Sequence, residues 1–397
     1  MKTANSSSEP ADSCEPEGRR PSLFSAAIEL TGACNQKCAY CYNEWRGDSG
    51  ASISTGGRDK VLARIRRLLD TFDVRELTLT GGEPFTRPDL FEILDLIRSR
   101  GVAAHIISNG GLIDEERARA LAEREVRFVQ VTLNGAEREL HEEHVGLGHF
   151  DATLEGIRAL RAADVEVVGC IVVTRKNANH VADILELFDS LRVRHIALSR
   201  FSPAGYATRH VADLLPSRAD LIAALSRAAP FVKARGMSIR VTMPIPPCAV
   251  EIEQFPDLIF GVCPVGTPQQ EFAIGPDGAL RHCTLHREKL GGGLDIADPS
   301  LDLVKLVRGS EVSQYRATVP EFCRGCLHEK TCAGGCGAAA EWVLGSRNHP
   351  DPIVAQHVDE AFGSELERLR EPQRVRLNVL HASDDGCRHG AADYSGA

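Results

Sequence analysis

The sequence predicts an α/β protein, a partial (β/α)6 barrel of TIM type followed by a small cysteine-rich C-terminal domain. Two observations carry this expectation. From residue 24 to 243, six short apolar runs alternate with amphipathic helical stretches, the pattern of βα units around a parallel sheet. From residue 244 helical periodicity fades, prolines and glycines multiply, and seven cysteines fall between residues 248 and 336. At 397 residues, 43% hydrophobic and 25% charged, the chain can bury one large domain and a smaller one.

The predicted strands, in order, are 25–32 (SAAIELTG), 75–82, 103–110, 127–135, 166–174 and 194–201. A seventh run at 237–243 (MSIRVTM) reads as an edge strand. Between them, RDKVLARIRRLLDTF places Val61, Ile65, Leu68 and Leu69 on one helical face. RPDLFEILDLIRSRG starts near a proline and stops at Gly101, as helix signals should. Further helical patterns cover 113–124, 150–163 and 178–190. Six units are too few for a full eight-stranded barrel but suit a partial one. Residues 271–283 read as a hairpin around a Pro-Asp-Gly turn. The expected organisation is a disordered tail at 1–23, the barrel at 24–243, the cysteine-rich domain at 244–360, and a helix plus disordered tail at 361–397.

Composition excludes several classes. The net charge is −9 with both signs interspersed and no basic stripe, so nucleic acid is not an expected partner. No run approaches the apolar length of a membrane span, and the N-terminus lacks the apolar core of a signal peptide. A cytoplasmic location follows, where thiols stay reduced. Thirteen cysteines then point to metal rather than disulfides.

The first cluster of thiols is TGACNQKCAYCYNEW, with Cys34, Cys38 and Cys41 spaced C-x3-C-x2-C just after the first predicted strand. That places them at the carboxyl end of the strand, where α/β barrels carry active sites. A structural zinc site would want a fourth ligand nearby, and none follows in the loop. A 4Fe–4S cluster is normally held by four thiolates. Held by three, it keeps one iron open for a reacting ligand. A chance grouping and a zinc knuckle are the alternatives on spacing alone. In LTLTGGEP, Gly81 and Gly82 permit close backbone approach, and Glu83 offers a carboxylate for an ammonium group.

These residues resemble the radical S-adenosylmethionine (SAM) enzymes. Their signature is C-x3-C-x2-C with an aromatic residue before the third cysteine, as Tyr40 is here. The resemblance implies a 4Fe–4S cluster on Cys34, Cys38 and Cys41 that binds SAM and cleaves it reductively. The resulting 5′-deoxyadenosyl radical abstracts hydrogen from a substrate. Gly81, Gly82, Glu83 and Pro84 match the family's GGEP motif, which contacts the methionine amine. Polar contacts to SAM are implied for Ser108 and Asn109 in SNGG, Thr132 and Asn134 in TLNG, and Arg200 in LSRF.

The later cysteines resemble the SPASM extension of that family, which carries auxiliary iron–sulfur clusters. Its pattern is met by CRGCLHEKTCAGGC (Cys323, Cys326, Cys332, Cys336) and by Cys263 and Cys283, with Gly278 five residues before Cys283. The resemblance, spanning about residues 24–360, implies one auxiliary cluster on Cys263, Cys283 and Cys336, with Cys248 as the obvious fourth ligand. It implies a second on Cys323, Cys326 and Cys332. The family's downstream fourth cysteine is missing from NHPDPIVAQH. Either Cys387 reaches back, or His349, Asp351 or His357 substitutes, or one iron is open. Zinc is the alternative metal for either site. Cys170 reads as a small buried hydrophobe, and Cys14 is assigned nothing.

The expected function is radical modification of a peptide or protein, by oxidation or a new cross-link. An electron donor such as a flavodoxin or ferredoxin is expected. Thr284 follows Cys283 where sulfatase-maturating members carry Asp, which argues against that activity. The 22 residues before the first strand are too few for a peptide-binding domain, so recognition would need a partner protein or the barrel itself. The alternative is the same chemistry on a small molecule, with His282 and His286 as candidate proton acceptors; their other reading is exposed hairpin polarity. A non-catalytic electron carrier would have no use for GGEP or the strand-end polar residues.

Overall fold

The computed structural model describes residues 20–47, 50–51 and 56–370. The expected tails fall largely outside these, as do Cys14 and Cys387. Seven parallel strands follow one another: β1 (Ser22–Glu29), β2 (Asp73–Thr80), β3 (Ala103–Ser108), β4 (Phe128–Thr132), β5 (Val167–Val173), β6 (His195–Arg200) and β7 (Ser238–Val241). Helices α1 (Arg58–Thr71), α2 (Leu90–Ser99), α3 (Glu115–Glu123), α4 (Arg138–Val145), α5 (Phe150–Ala162), α6 (Val181–Ser190) and α7 (Arg218–Arg235) lie between them. The face expected of α1 is buried: Val61, Ile65, Leu68 and Leu69 are each at most 2% exposed. Such helix-connected parallel strands put every strand's carboxyl end on one rim.

The sheet is wider than the sequence reading. Its order is β8-β7-β6-β5-β4-β3-β2-β1-β9-β10, where β8 is Ile259–Phe260, β9 is Glu271–Ile274 and β10 is Leu280–Arg281. β7 is therefore not the edge, because β8 pairs with it in parallel. β9 lies parallel to β1, with Ser25 opposite Glu271 and Ile28 opposite Ile274. The expected hairpin exists, since β9 and β10 are antiparallel and Gly278 takes φ +89° at the turn. But its first strand extends the barrel sheet. Strands from beyond residue 244 thus flank the parallel core on both sides.

Two buried ion pairs lock these layers. Arg281 of β10 meets Glu29 at the end of β1, with both side chains at most 4% exposed. Arg200, ending β6, meets Asp351, both at most 1% exposed. Arg64 of α1 adds a fork to Asp295, at 2.7 Å from Nη2, and donates to the Pro276 carbonyl at 2.8 Å.

Candidate functional site

The loop 30–46 after β1 is held on three sides by backbone. Gly82 N–H donates to Thr31 O at 2.6 Å and Glu83 N–H to Ala33 O at 2.8 Å. Lys37 and Ala39 N–H donate to Val145 O and His144 O at the end of α4, at 3.1 and 2.8 Å. Ala207 N–H donates to Cys41 O at 2.9 Å. Asn43 Nδ2 adds a bond to Gly81 O at 2.7 Å. The two glycines of GGEP face this loop: a Cβ on Gly82 would lie 2.0 Å from Ala33 O, and Gly81 has φ +131°. Their close backbone neighbour is thus the cysteine loop itself. Gly82→Ala is expected to displace that loop, since added bulk in a packed site costs about 1–3 kcal/mol. Iron per chain at the Cys34/Cys38/Cys41 site should fall and melting temperature should drop; full iron loading would refute this bracing role.

Cys34, Cys38 and Cys41 therefore sit on one braced loop at the carboxyl rim. Burial raises the Cys38 and Cys41 thiols above their ordinary range, so loading a metal there must release protons. Among the described residues, no three Cys, His, Asp or Glu side chains converge where one metal ion could sit. Zinc needs four ligands within about 2.3 Å of one point, whereas a cube of four irons takes spread thiolates, one per iron. Three thiols on one loop are the donor set that a cluster with three protein thiolates would take.

Beside the loop lies a buried carboxylate. Glu83 is 1% exposed and accepts from Ser108 Oγ at 2.9 Å, Asn109 N–H at 2.8 Å and Phe85 N–H at 3.1 Å. Asn109 Nδ2 donates to Asn35 Oδ1 at 2.7 Å and lies 3.9 Å from Cys34 Sγ. The ends of β1, β2 and β3 therefore meet at one point, which brings Cys34, Gly81, Gly82, Glu83, Ser108 and Asn109 together, with Pro84 following Glu83 in the turn. Despite three hydrogen bonds, burial pushes the Glu83 carboxyl up to about 7. Among the described residues no ion pair is formed by Glu83, so it presents a buried acceptor set suited to a cation.

The remaining strand-end residues are placed less simply. Tyr40 packs beside His144, ring centroids 6.5 Å apart. Thr132 lies at the end of β4, next to Cys170 of β5, which is buried as expected. Asn134 is fully buried; its Oδ1 accepts Val172 N–H at 2.9 Å while Nδ2 has no partner. Arg200 departs from the expectation. Its guanidinium is spent on Asp351 and, from Nε, on Pro244 O at 2.7 Å, because a fully buried cation needs a paired anion. Sequence reasoning missed Thr174 and Asn177 at the end of β5. Asn177 Oδ1 accepts Thr174 N–H at 2.8 Å, and Thr174 Oγ1 lies 2.9 Å from His144 Nε2. The polar run TRKNANH following a strand was the available signal.

The later cysteines form two groups. Burial lifts the Cys263 thiol to about 11 and Cys283 to about 12, with Cys336 the next cause for each. Cys323 is raised to about 11 by burial, then by Cys332, Cys248 and Cys326. Cys248 lines one cavity with Cys323, Cys326 and Cys332, whereas the resemblance implies a place for it beside Cys263, Cys283 and Cys336. The reason is its turn, where Ala249 N–H donates to Pro246 O at 2.8 Å and Pro246 packs against Gly335. Asp351 is no free ligand: it also accepts Cys336 N–H at 2.8 Å and Ile353 N–H at 3.0 Å. His349 and His357 are exposed, and His357 lines a separate cavity with Ser217 and Glu360. His282 and His286 are not exposed hairpin residues. Both are buried, within 5.0 Å of Tyr315 and 4.9 Å of each other between ring centroids. Burial, then the charge of His286, depresses His282 to about 4, which makes it a poor proton acceptor near neutrality.

Residues 28–188 match the family described as the Radical SAM superfamily. PqqA peptide cyclase of Rhodopseudomonas palustris is 27% identical over 340 residues, covering 83% of this chain and 85% of that protein. Mycofactocin maturase MftC of Mycobacterium ulcerans is 26% identical over 349 residues, covering 83% and 86%. Among solved structures, Streptococcus suis SuiB bound to precursor peptide SuiA superposes with TM-score 0.64 at 16% identity, covering 83% of this chain and 75% of that one. Native anSMEcpe with bound AdoMet and the Cp18Cys peptide gives TM-score 0.64 at 18% identity, covering 88% of this chain and 100% of that one. At these identities the superpositions show the shared fold.

Proposed function

We propose that this chain, whose residues 28–188 form a radical SAM domain, is an enzyme that modifies a peptide or protein substrate by radical chemistry. The observation that carries the reading is the Cys34/Cys38/Cys41 loop, clamped by backbone onto the GGEP turn, whose buried Glu83 carboxylate forms no ion pair among the described residues. The likeness over most of the chain to a peptide cyclase and a maturase supports a peptide substrate. A 4Fe–4S cluster with SAM supplies, when bound, a 5′-deoxyadenosyl radical able to abstract hydrogen. The chain's own part is to hold that cluster by three thiolates and to receive the SAM ammonium at Glu83. The rim of Ser108, Asn109, Thr132 and Asn134 supplies further polar groups.

We further read residues 244–360 as a SPASM segment with auxiliary iron–sulfur clusters, supported by its two groups of cysteines. A one-electron donor of flavodoxin or ferredoxin type completes the proposal, with peptide recognition falling to a partner protein or to the barrel itself. No helix among the described residues is long and apolar enough to cross a membrane. The test is mass spectrometry of the reconstituted protein with SAM, reductant and candidate peptides. Product lighter by two hydrogens, formed with 5′-deoxyadenosine, is expected; conversion of small molecules alone would refute the peptide reading.

Glu83 provides a pH signature. Its folded carboxyl titrates near 7 against an ordinary value of 4.5. Its contribution to stability is therefore full below about 4.5 and is lost as pH rises through about 7. An ammonium opposite the carboxylate favours the ionised form, so SAM binding expels the proton below about pH 7. Affinity should rise up to about tenfold per pH unit below 7 and fall again above about 8, where an α-amino group loses its proton. In Glu83→Gln the slope should vanish and SAM binding weaken by about ten- to a hundredfold, the loss of one charge-assisted hydrogen bond. An unchanged slope, with the cluster intact by absorbance, would reject the role.

A further inference from the structure

We propose that the Cys248 thiolate is the fourth protein ligand of the second auxiliary cluster, alongside Cys323, Cys326 and Cys332. The assignment rests on the reading of the cysteine-rich segment as a carrier of iron–sulfur clusters. A cavity of about 360 Å³ is lined by these four cysteines, with Phe322 and Val354 among its apolar walls. It lies between the turn at 246–250 and the loop 322–334. Four thiols on one cavity are the donor set a 4Fe–4S cluster takes, and soft thiolates suit iron–sulfur chemistry better than the alternatives.

The turn is fixed in place from behind. Ala249 and Val250 N–H both donate to Pro246 O, at 2.8 and 3.2 Å. Pro244 O accepts from the buried Arg200, and Pro246 packs on Gly335 beside Asp351. Cys248 is thereby held across the cavity from Cys323, Cys326 and Cys332 by the same ion pair that withdraws Asp351 from ligation. The competing side chains on this cavity are His328 and Glu329, and Glu329 is already bound to Gly325 N–H at 2.6 Å. Cys263, Cys283 and Cys336 then keep three thiolates among the described residues. The pairing reverses what the family resemblance implies: Cys248 is 15 residues from Cys263 in the chain but shares its cavity with the other trio.

The test is iron content with Mössbauer and EPR spectra of the anaerobically reconstituted full chain. The parent should hold about twelve irons if all three sites carry 4Fe–4S clusters. Cys248→Ala should lose about four irons, or about one if a three-iron cluster remains, and should remove the same spectral component as Cys323→Ala. Cys263→Ala should remove a different component. Cys248→Ser, which can ligate through oxygen, should restore iron with a shifted spectrum; this separates ligation from a merely structural effect. His328→Ala and truncation before His381 should leave the component intact. If Cys248→Ala keeps the component, or removes the one lost in Cys263→Ala, the assignment is overturned while the auxiliary-cluster reading stands. A parent with no auxiliary iron overturns both.

Discussion

Alanine at Cys34, Cys38 and Cys41 together is expected to reduce 5′-deoxyadenosine formation from SAM to the reagent background, with loss of about four irons per chain. The size of the effect follows from the architecture. The three thiols lie on one loop, and among the described cysteines the others belong to the interior of β5 or to the two groups near the opposite segment. No neighbouring thiol can substitute. The loop's backbone clamps to Thr31, Ala33, Lys37 and Ala39 do not pass through the cysteine side chains. The fold should therefore survive, and thermal melting of the apo-protein should stay within a few degrees of the parent. Liquid chromatography of the reaction mixture and iron analysis check the two halves. Sustained 5′-deoxyadenosine production by the variant would refute the assignment of this loop.

The second large effect concerns stability. Arg200→Met should cost about 3–5 kcal/mol, because it leaves Asp351 as an uncompensated buried anion. Asp351→Ala should cost at least as much, since it strands the Arg200 cation together with the Cys336 and Ile353 N–H groups. The double replacement by apolar residues should cost less than the two single losses combined, the mark of a coupled pair. Thermal or denaturant unfolding of the apo-proteins measures this. SAM affinity of the folded Arg200→Met protein should change by less than about tenfold, or 1.4 kcal/mol. A greater loss of affinity with stability unchanged would return Arg200 to direct SAM contact.

What was legible in the sequence was local. The cysteine loop, the GGEP turn, and Ser108 and Asn109 each announce themselves within a few residues, and strand alternation places them on one rim. The helix α7 escaped although Ser217 and Asp220 form a reciprocal capping box. Pro230 inside it interrupts the helical pattern, as an interior proline normally would. The pairing of β9 with β1 and the Arg281–Glu29 bridge join residues far apart in the chain, and no local pattern encodes them. The same holds for Cys248, whose neighbours are set by a proline-braced turn rather than by spacing. Burial of His282 and His286 depends on Tyr315, which a distant helix brings over them.

The position of β9 bears on how the molecule is made. β1 leaves the ribosome ahead of β2 and β9, yet it is an interior strand of the finished sheet, flanked by both. β2 emerges soon afterwards. β9 follows roughly 250 residues behind β1, on the order of 10–50 s later at ordinary translation rates. Throughout that interval one side of β1 presents unpaired N–H and C=O groups, a template on which another nascent chain could pair. Cys34, Cys38 and Cys41 lie just beyond that open edge. Synthesis of the cysteine-rich segment, which carries β9, then closes the seam.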